Sequence, residues 1–169
     1  FSYNPQNLPK QVTTSAGSNL ATMVYDEAGR VTQRAMRDII NNPLVQQIDY
    51  YAWGQSGGRL DLLQTWANGT LVQDLDYTYD SVGNITAIQD GMNQDQTQCY
   101  QYDALNRLTG AATQTSNCGA AVGIGQYAET YTYNGTTGNL ATNGSLTLNY
   151  AAAGHAPAVS SVGTGETYS

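Results

Sequence analysis

Phenylalanine, lysine and histidine each occur once in these 169 residues, and cysteine occurs twice. Each shortage excludes something. One lysine and five arginines against 13 acidic residues give a net charge of −7 and leave no basic stripe, so nucleic acid is not an expected partner. Cys99 and Cys118 are too few for a disulfide scaffold and too few for a structural zinc site. They could form one bridge in an oxidising compartment or remain two small buried hydrophobes; their spacing leaves both open. No run approaches the 18 apolar residues of a membrane-spanning helix. Phe1–Lys10 carries neither a charged nor an apolar signal region, so targeting has to be inferred indirectly. Leu, Ile, Val and Phe make up 29 of the 169 residues, which is little material for a packed core.

Uncharged polar residues and tyrosine fill the deficit. Asn, Gln, Ser and Thr account for 59 residues, and 13 Tyr with 2 Trp supply apolar area that the aliphatics do not. An aromatic ring buries roughly 150–250 Å², and self-repulsion at this charge density is weak, so the composition is that of a folded chain.

The tyrosines recur in a phrase. Tyr77-Thr-Tyr79-Asp80-Ser-Val-Gly83-Asn84-Ile85 and Tyr100-Gln-Tyr102-Asp103-Ala-Leu-Asn106-Arg107-Leu108 are two clear copies, and Val24-Tyr25-Asp26-Glu-Ala-Gly29-Arg30-Val31 is a third. Tyr131-Thr-Tyr133-Asn-Gly-Thr-Thr-Gly138-Asn-Leu140 and Tyr51-Ala-Trp53-Gly-Gln-Ser-Gly-Gly-Arg59-Leu60 are looser, each with a longer turn. Anchors at Tyr3, Tyr25, Trp53, Tyr79, Tyr102, Tyr133, Tyr150 and Tyr168 are spaced 22, 28, 26, 23, 31, 17 and 18 residues apart. A period of that size signals a repeat architecture.

Tyr-x-Tyr puts two rings on one face of a strand, because strand side chains alternate. The Asp that follows can accept hydrogen bonds from the backbone of the turn it opens. Gly, or Asn at 106, then sits where a hairpin loop needs positive φ, and Arg or Asn with an aliphatic residue starts the return strand. Each unit therefore reads as a β-hairpin. Further turns are signalled at Asn41-Asn-Pro43, Asn68-Gly69, Asp90-Gly91, Asn134-Gly135 and Asn143-Gly144. Leu71–Tyr79, Thr97–Tyr102, Glu129–Tyr133 and Ser145–Tyr150 read as strands, and so does Thr32–Ile40. Gln114–Gly125 reads as a long irregular loop.

These phrases, Tyr100 to Thr109 above all, resemble the YD repeats of the Rhs family, which comprises bacterial Rhs proteins, the shell components of Tc toxins and animal teneurins. The resemblance extends over nearly the whole chain and is strong at three copies. It implies an all-β fold of antiparallel hairpins forming part of a curled or spiralling sheet that builds a shell, tube or fibre. It also implies a secreted or cell-surface protein, bacterial before eukaryotic. The Asp-Pro-x-Gly-Leu stretch that closes the bacterial shells is absent, so self-cleavage is not carried over. Residues 1–169 are read as one region of about seven degenerate hairpin repeats, a section of a longer polypeptide ordered only when its edges are paired.

Competing chemistry is poorly supported. Gly54-Gln-Ser56-Gly-Gly58 fits a nucleophile elbow, with His155 downstream, but it lies in a repeat turn that already explains its glycines. Gly123-Ile-Gly125-Gln-Tyr-Ala128 fits a relaxed dinucleotide fingerprint without a βαβ context. Asp26, Asp80 and Asp103 are spread along the chain as turn caps, and no calcium-loop spacing is present. Asn68, Asn84, Asn134 and Asn143 begin glycosylation sequons that turn chemistry also accounts for. No enzymatic activity, metal or cofactor is expected. The expected partners are neighbouring repeats of the same chain or other copies in an assembly, and then an enclosed polypeptide. The other reading is a binding module whose exposed Tyr rows meet surface glycans or a protein.

Overall fold

A computed structural model gives the fold and describes residues 1–37, 42–92, 96–114, 118, 127–150 and 157–163, with the backbone of 166–167. His155, Tyr168, the fingerprint glycines Gly123 and Gly125, and most of the expected Gln114–Gly125 loop lie outside the described residues, as do Asn41 and the end of the Thr32–Ile40 segment.

The chain forms two compact units, Phe1–Gln94 and Asp95–Ser169. In the first, β1 (Ser2–Tyr3), β2 (Pro9–Thr13), β3 (Asn19–Tyr25), β4 (Val31–Arg37), β5 (Pro43–Tyr50), β6 (Leu60–Ala67), β7 (Thr70–Tyr79) and β8 (Ile85–Asp90) each pair antiparallel with the next. In the second, β9 (Thr97–Tyr102), β10 (Leu108–Gln114), β11 (Ala128–Tyr133), β12 (Leu140–Asn143), β13 (Leu146–Asn149), β14 (Ser161–Val162) and β15 (Glu166–Thr167) do the same. The protein is all-β and built from antiparallel hairpins, as the tyrosine phrase implies. Among the described residues one helical turn, α1 (Trp53–Ser56), interrupts it.

Every strand that enters a repeat turn ends on, or one residue before, a tyrosine: Tyr3, Tyr25, Tyr50, Tyr79, Tyr102, Tyr133 and Tyr150. Just beyond the turn the register slips in a regular way. Tyr25 faces Val31, but Val24 faces Gln33, so Thr32 is an extra residue on the return strand. Tyr79 faces Ile85 and Thr78 faces Ala87, leaving Thr86 extra; Tyr102 with Leu108 and Tyr133 with Leu140 repeat the arrangement. These are β-bulges, which bend a strand and sharpen its twist at a fixed place in each hairpin.

One alignment is corrected. The nine-residue connection Tyr51–Arg59 is closed by Tyr51 N–H donating to the Arg59 carbonyl, and Tyr50, opposite Leu60, holds the position occupied elsewhere by Tyr25 and Tyr79. Trp53 lies in α1, mostly exposed, and does not anchor the strand. Tyr51-Ala-Trp53 imitates Tyr-x-Tyr, but the connection is long enough to wind a turn of helix around Ala52, whose carbonyl accepts from Gln55 N–H. Gly57 ends that turn with a left-handed φ of 63°.

Burial is thin. Among the described residues the buried apolar side chains are Ile48, Cys99 and Ala111, accompanied by buried Thr65, Thr97 and Thr113. Ile48, Leu63 and Leu75 lie opposite one another across β5, β6 and β7. Beside them Thr65 Oγ1 accepts from Gln46 at 3.4 Å and donates to Gln73 at 2.8 Å, so the buried hydroxyl is satisfied.

Candidate functional site

The repeated site is the turn end of each hairpin. Asp26 Oδ1 accepts from the Arg30 N–H at 2.9 Å, Asp26 Oδ2 holds Arg30 Nε at 2.7 Å, and the Gly29 N–H donates to the Asp26 carbonyl. Asp103 and Arg107 repeat this, with Nε and Nη2 converging on Oδ2 at 2.7 and 2.6 Å. Asp80 accepts from the Val82, Gly83 and Asn84 amides, and Asn84 Nδ2 takes the arginine's place at 2.8 Å. Asn134 accepts from Thr136 and Thr137 in the looser copy. Gly29, Gly83 and Gly138 have φ of 80°, 103° and 75°, and Asn106 has 59°, the left-handed backbone that these turns require.

The carboxylates respond to this geometry. The Arg30 N–H holds Asp26 below its ordinary range, reinforced by the guanidinium, and Arg107 does the same to Asp103. For Asp80, partial burial pushes upward and is outweighed by the Asn84 side chain and the Asn84, Gly83 and Val82 amides.

The turn is also joined to the next repeat. Backbone pairing between β4 and β5 stops at Gln33–Gln47, short of Val31. Tyr50 spans the gap, its hydroxyl donating to the Val31 carbonyl at 3.0 Å. The same latch joins Tyr25 to Pro9 (2.7 Å), Tyr79 to Leu60 (2.9 Å), Tyr133 to Leu108 (2.9 Å) and Tyr150 to Leu140 (2.8 Å). In each case the accepting carbonyl belongs to the first residue of the preceding return strand, beyond the reach of the sheet ladder. Val31, Leu60, Leu108 and Leu140 are half-buried, where a carbonyl needs a partner, and a tyrosine supplies one at that distance while its ring covers the gap. At least five of the 13 tyrosines are used in this way, in a chain with one phenylalanine.

Arginine completes the joint. Arg30 lies 4.2 Å from the Tyr50 ring centroid, Arg59 5.6 Å from that of Tyr79 and Arg107 4.3 Å from that of Tyr133. Each turn arginine thus stacks on the closing tyrosine of the following repeat, a cation–π contact across the repeat boundary. Arg30 is held further by the Trp53 ring at 4.8 Å and by the Gly58 carbonyl at 2.6 Å. Trp53 therefore serves the joint from outside the strand. Arg59 lies over Gly83, where a Cβ would overlap its guanidinium.

The remaining sequence candidates are placed as follows. Tyr77 supplies the carbonyl that accepts the Tyr51 hydroxyl at 2.9 Å, and Tyr51 packs edge-on against Tyr79. Tyr100 and Tyr131 donate to Gln98 and Glu129 on their own strands. Ser56 ends α1 in a turn rather than at a strand-to-helix junction. Cys99 and Cys118 are joined in a disulfide with Cα atoms 5.5 Å apart. Among the described residues no three His, Cys, Asp or Glu side chains are grouped to hold a metal ion, and no helix is long and apolar enough to cross a membrane.

Comparison with known proteins bears on the same stretch. Residues 79–116, from the closing tyrosine of β7 to just past β10, match the RHS Repeat family. Over these residues the chain is similar to one Rhs repeat. A curated relative, the double-stranded DNA deaminase toxin A of Burkholderia cenocepacia (strain H111), is 36% identical over 97 residues, covering 53% of this chain and 6% of the relative. Two solved structures are similar at 18% identity over 84% of the chain: a TcdB2-TccC3-TEV crystal structure (TM-score 0.46, 9% of that chain) and a Photorhabdus luminescens Tc holotoxin pore with a mutated TccC3 (TM-score 0.48, 8% of that chain). The chain spans less than a tenth of each of these proteins.

Proposed function

We propose that this Rhs-repeat chain is a non-catalytic wall segment of a secreted or surface-exposed bacterial β-shell, tube or filament, whose partners are neighbouring repeats and, inside the wall, a cargo such as a toxin domain. The observation that carries this reading is the fate of the tyrosines. At five joints, those closed by Tyr25, Tyr50, Tyr79, Tyr133 and Tyr150, the hydroxyl is committed to the backbone of the adjacent repeat, and at three of them the ring is covered by that repeat's arginine. Rings spent on joining repeats are not free to stack on a sugar, so the structural role is favoured over a glycan-binding face. The naming of the Burkholderia relative as a toxin supports cargo of that kind.

The test is electron microscopy of the parent polypeptide. Closed or tubular walls are expected from the wild type, and loss of those walls when Tyr50, Tyr79 and Tyr133 are replaced together by Ala. Walls that survive the triple replacement would overturn the reading, as would glycan binding abolished by the same changes in a chain that forms no wall.

A further inference from the structure

The second unit holds a feature that the joints do not use. Cys99 sits in the middle of β9 and is buried, with 7% of its surface exposed, whereas Cys118 lies four residues beyond β10 and is exposed. Their bridge borders an open trough of about 310 Å³. Its floor is low because β10 carries Gly110 and Ala112 there, opposite Gln101 and Cys99 on β9 and Thr130 and Ala128 on β11. Small side chains at these positions leave a path to the sulfurs that larger ones would close.

We propose that this trough makes the Cys99–Cys118 bridge a thiol-exchange site in the folded protein, attacked at Cys118. The inference goes beyond the wall-segment reading and does not depend on it. A thiolate entering the trough bonds to Cys118 Sγ, the Sγ–Sγ bond breaks, and Cys99 leaves as a thiolate that takes a proton from water. If the attacking reagent is a dithiol, its second sulfur displaces Cys118. The reagent ends as a cyclic disulfide and the protein as two thiols, a balanced two-electron transfer. Exposure selects the sulfur, since attack has to come from the side opposite the leaving group and Cys99 is enclosed. The covalent link between Cys99 and Cys118 is then closed in an oxidising compartment and opened by dithiols without unfolding.

The sequence provides a clean assay, because trypsin cuts after Arg107, between the two cysteines, leaving Cys99 and Cys118 on different peptides. The folded chain is treated with reduced glutathione, quenched with an alkylating agent, digested and weighed, in parallel with a sample in urea. Glutathione is expected on the Cys118 peptide, with a native rate within about tenfold of the denatured rate. Ala112→Leu, which fills the floor, is expected to slow native exchange about tenfold and leave the rate in urea unchanged. The proposal is overturned if exchange requires urea, if glutathione appears on the Cys99 peptide, or if a folded Ala112→Leu chain exchanges at the wild-type rate. The first and second readings need no variant, so misfolding of Ala112→Leu would leave the proposal testable.

Discussion

Arg107 lies over the ring of Tyr133, its guanidinium 4.3 Å from the ring centroid, while it pairs with Asp103 in its own turn. The arginine is thus shared between the turn that positions it and the next repeat, which it covers. Arg30 does the same between Asp26 and Tyr50. The Tyr25-Asp26 pair therefore belongs to two joints: Tyr25 closes onto the preceding repeat, and Asp26 orients the cation that covers the next.

Removing one hydroxyl should weaken a joint without dismantling it. Tyr79→Phe keeps the ring and leaves the Leu60 carbonyl without its donor. A loss of about 1 kcal/mol in urea unfolding is expected, the ordinary cost of one unmade hydrogen bond. Tyr3→Phe, at a mostly exposed ring, should change stability by less than about 0.5 kcal/mol. Equal losses at the two positions would show that the latch contributes nothing particular.

Titration gives a second, opposite-signed pair of expectations. Asp26 and Asp103 lie below their unfolded values, chiefly through the Arg30 and Arg107 amides, so they stabilise the fold above the ordinary carboxylate range. That contribution is lost as pH falls through the folded values. Asp103→Asn, which cannot ionise, should flatten the acid limb of stability measured by thermal unfolding between pH 2 and 6. Burial raises the Tyr79 phenol, and its contribution is complete below the unfolded tyrosine value and lost as pH rises through the folded one. Tyr79→Phe should flatten the alkaline limb and leave the acid limb alone.

Gly83 combines two constraints that can be separated. Its φ is 103°, and a Cβ there would overlap the Arg59 guanidinium. Gly83→Val should therefore cost more than about 1 kcal/mol, because a β-branched residue resists positive φ. In the Arg59→Ala background the clash disappears and the backbone strain remains, so the cost of Gly83→Val should fall but not vanish. A cost unchanged by Arg59→Ala would assign all of it to the backbone.

What the sequence discloses is the local part of this design. Asp80 to Asn84 and Asp103 to Arg107 can be read as turns because capping and positive φ depend on neighbours a few residues away. Strand and hairpin assignment followed from the same phrase. The latch was not legible, since its acceptors, the carbonyls of Val31, Leu60 and Leu108, are backbone atoms 19 to 25 residues distant that any residue could present. The bulges were hidden for a related reason: an extra residue exists only relative to a partner strand. Trp53 misled because a long connection can place an aromatic at the right spacing while removing it from the strand. Thirteen tyrosines to one phenylalanine was the available clue, since packing alone does not require a hydroxyl.

Thin burial leads to the remaining prediction. The buried apolar side chains among the described residues are Ile48, Cys99 and Ala111, and exposed Val24, Leu44, Val72 and Leu146 lie on strands. Stability in a compact domain comes largely from apolar area removed from water, set against about 1–2 kcal/mol of backbone entropy per ordered residue. Here the satisfied groups are mainly backbone ladders and tyrosine latches, whose net contributions are about 1 kcal/mol each, together with the turn carboxylates. Such a structure resembles a repeat array, in which each unit leans on its neighbours and stability grows with repeat number. Residues 1–169 expressed alone should therefore unfold with a shallow urea dependence for their length, because the slope follows the surface newly exposed. Extending the chain with flanking repeats of its parent polypeptide should steepen the transition and raise its midpoint. Sedimentation and urea unfolding at several concentrations provide the check. A monodisperse monomer that unfolds sharply, at a midpoint unmoved by added repeats, would mean that the chain is an autonomous domain.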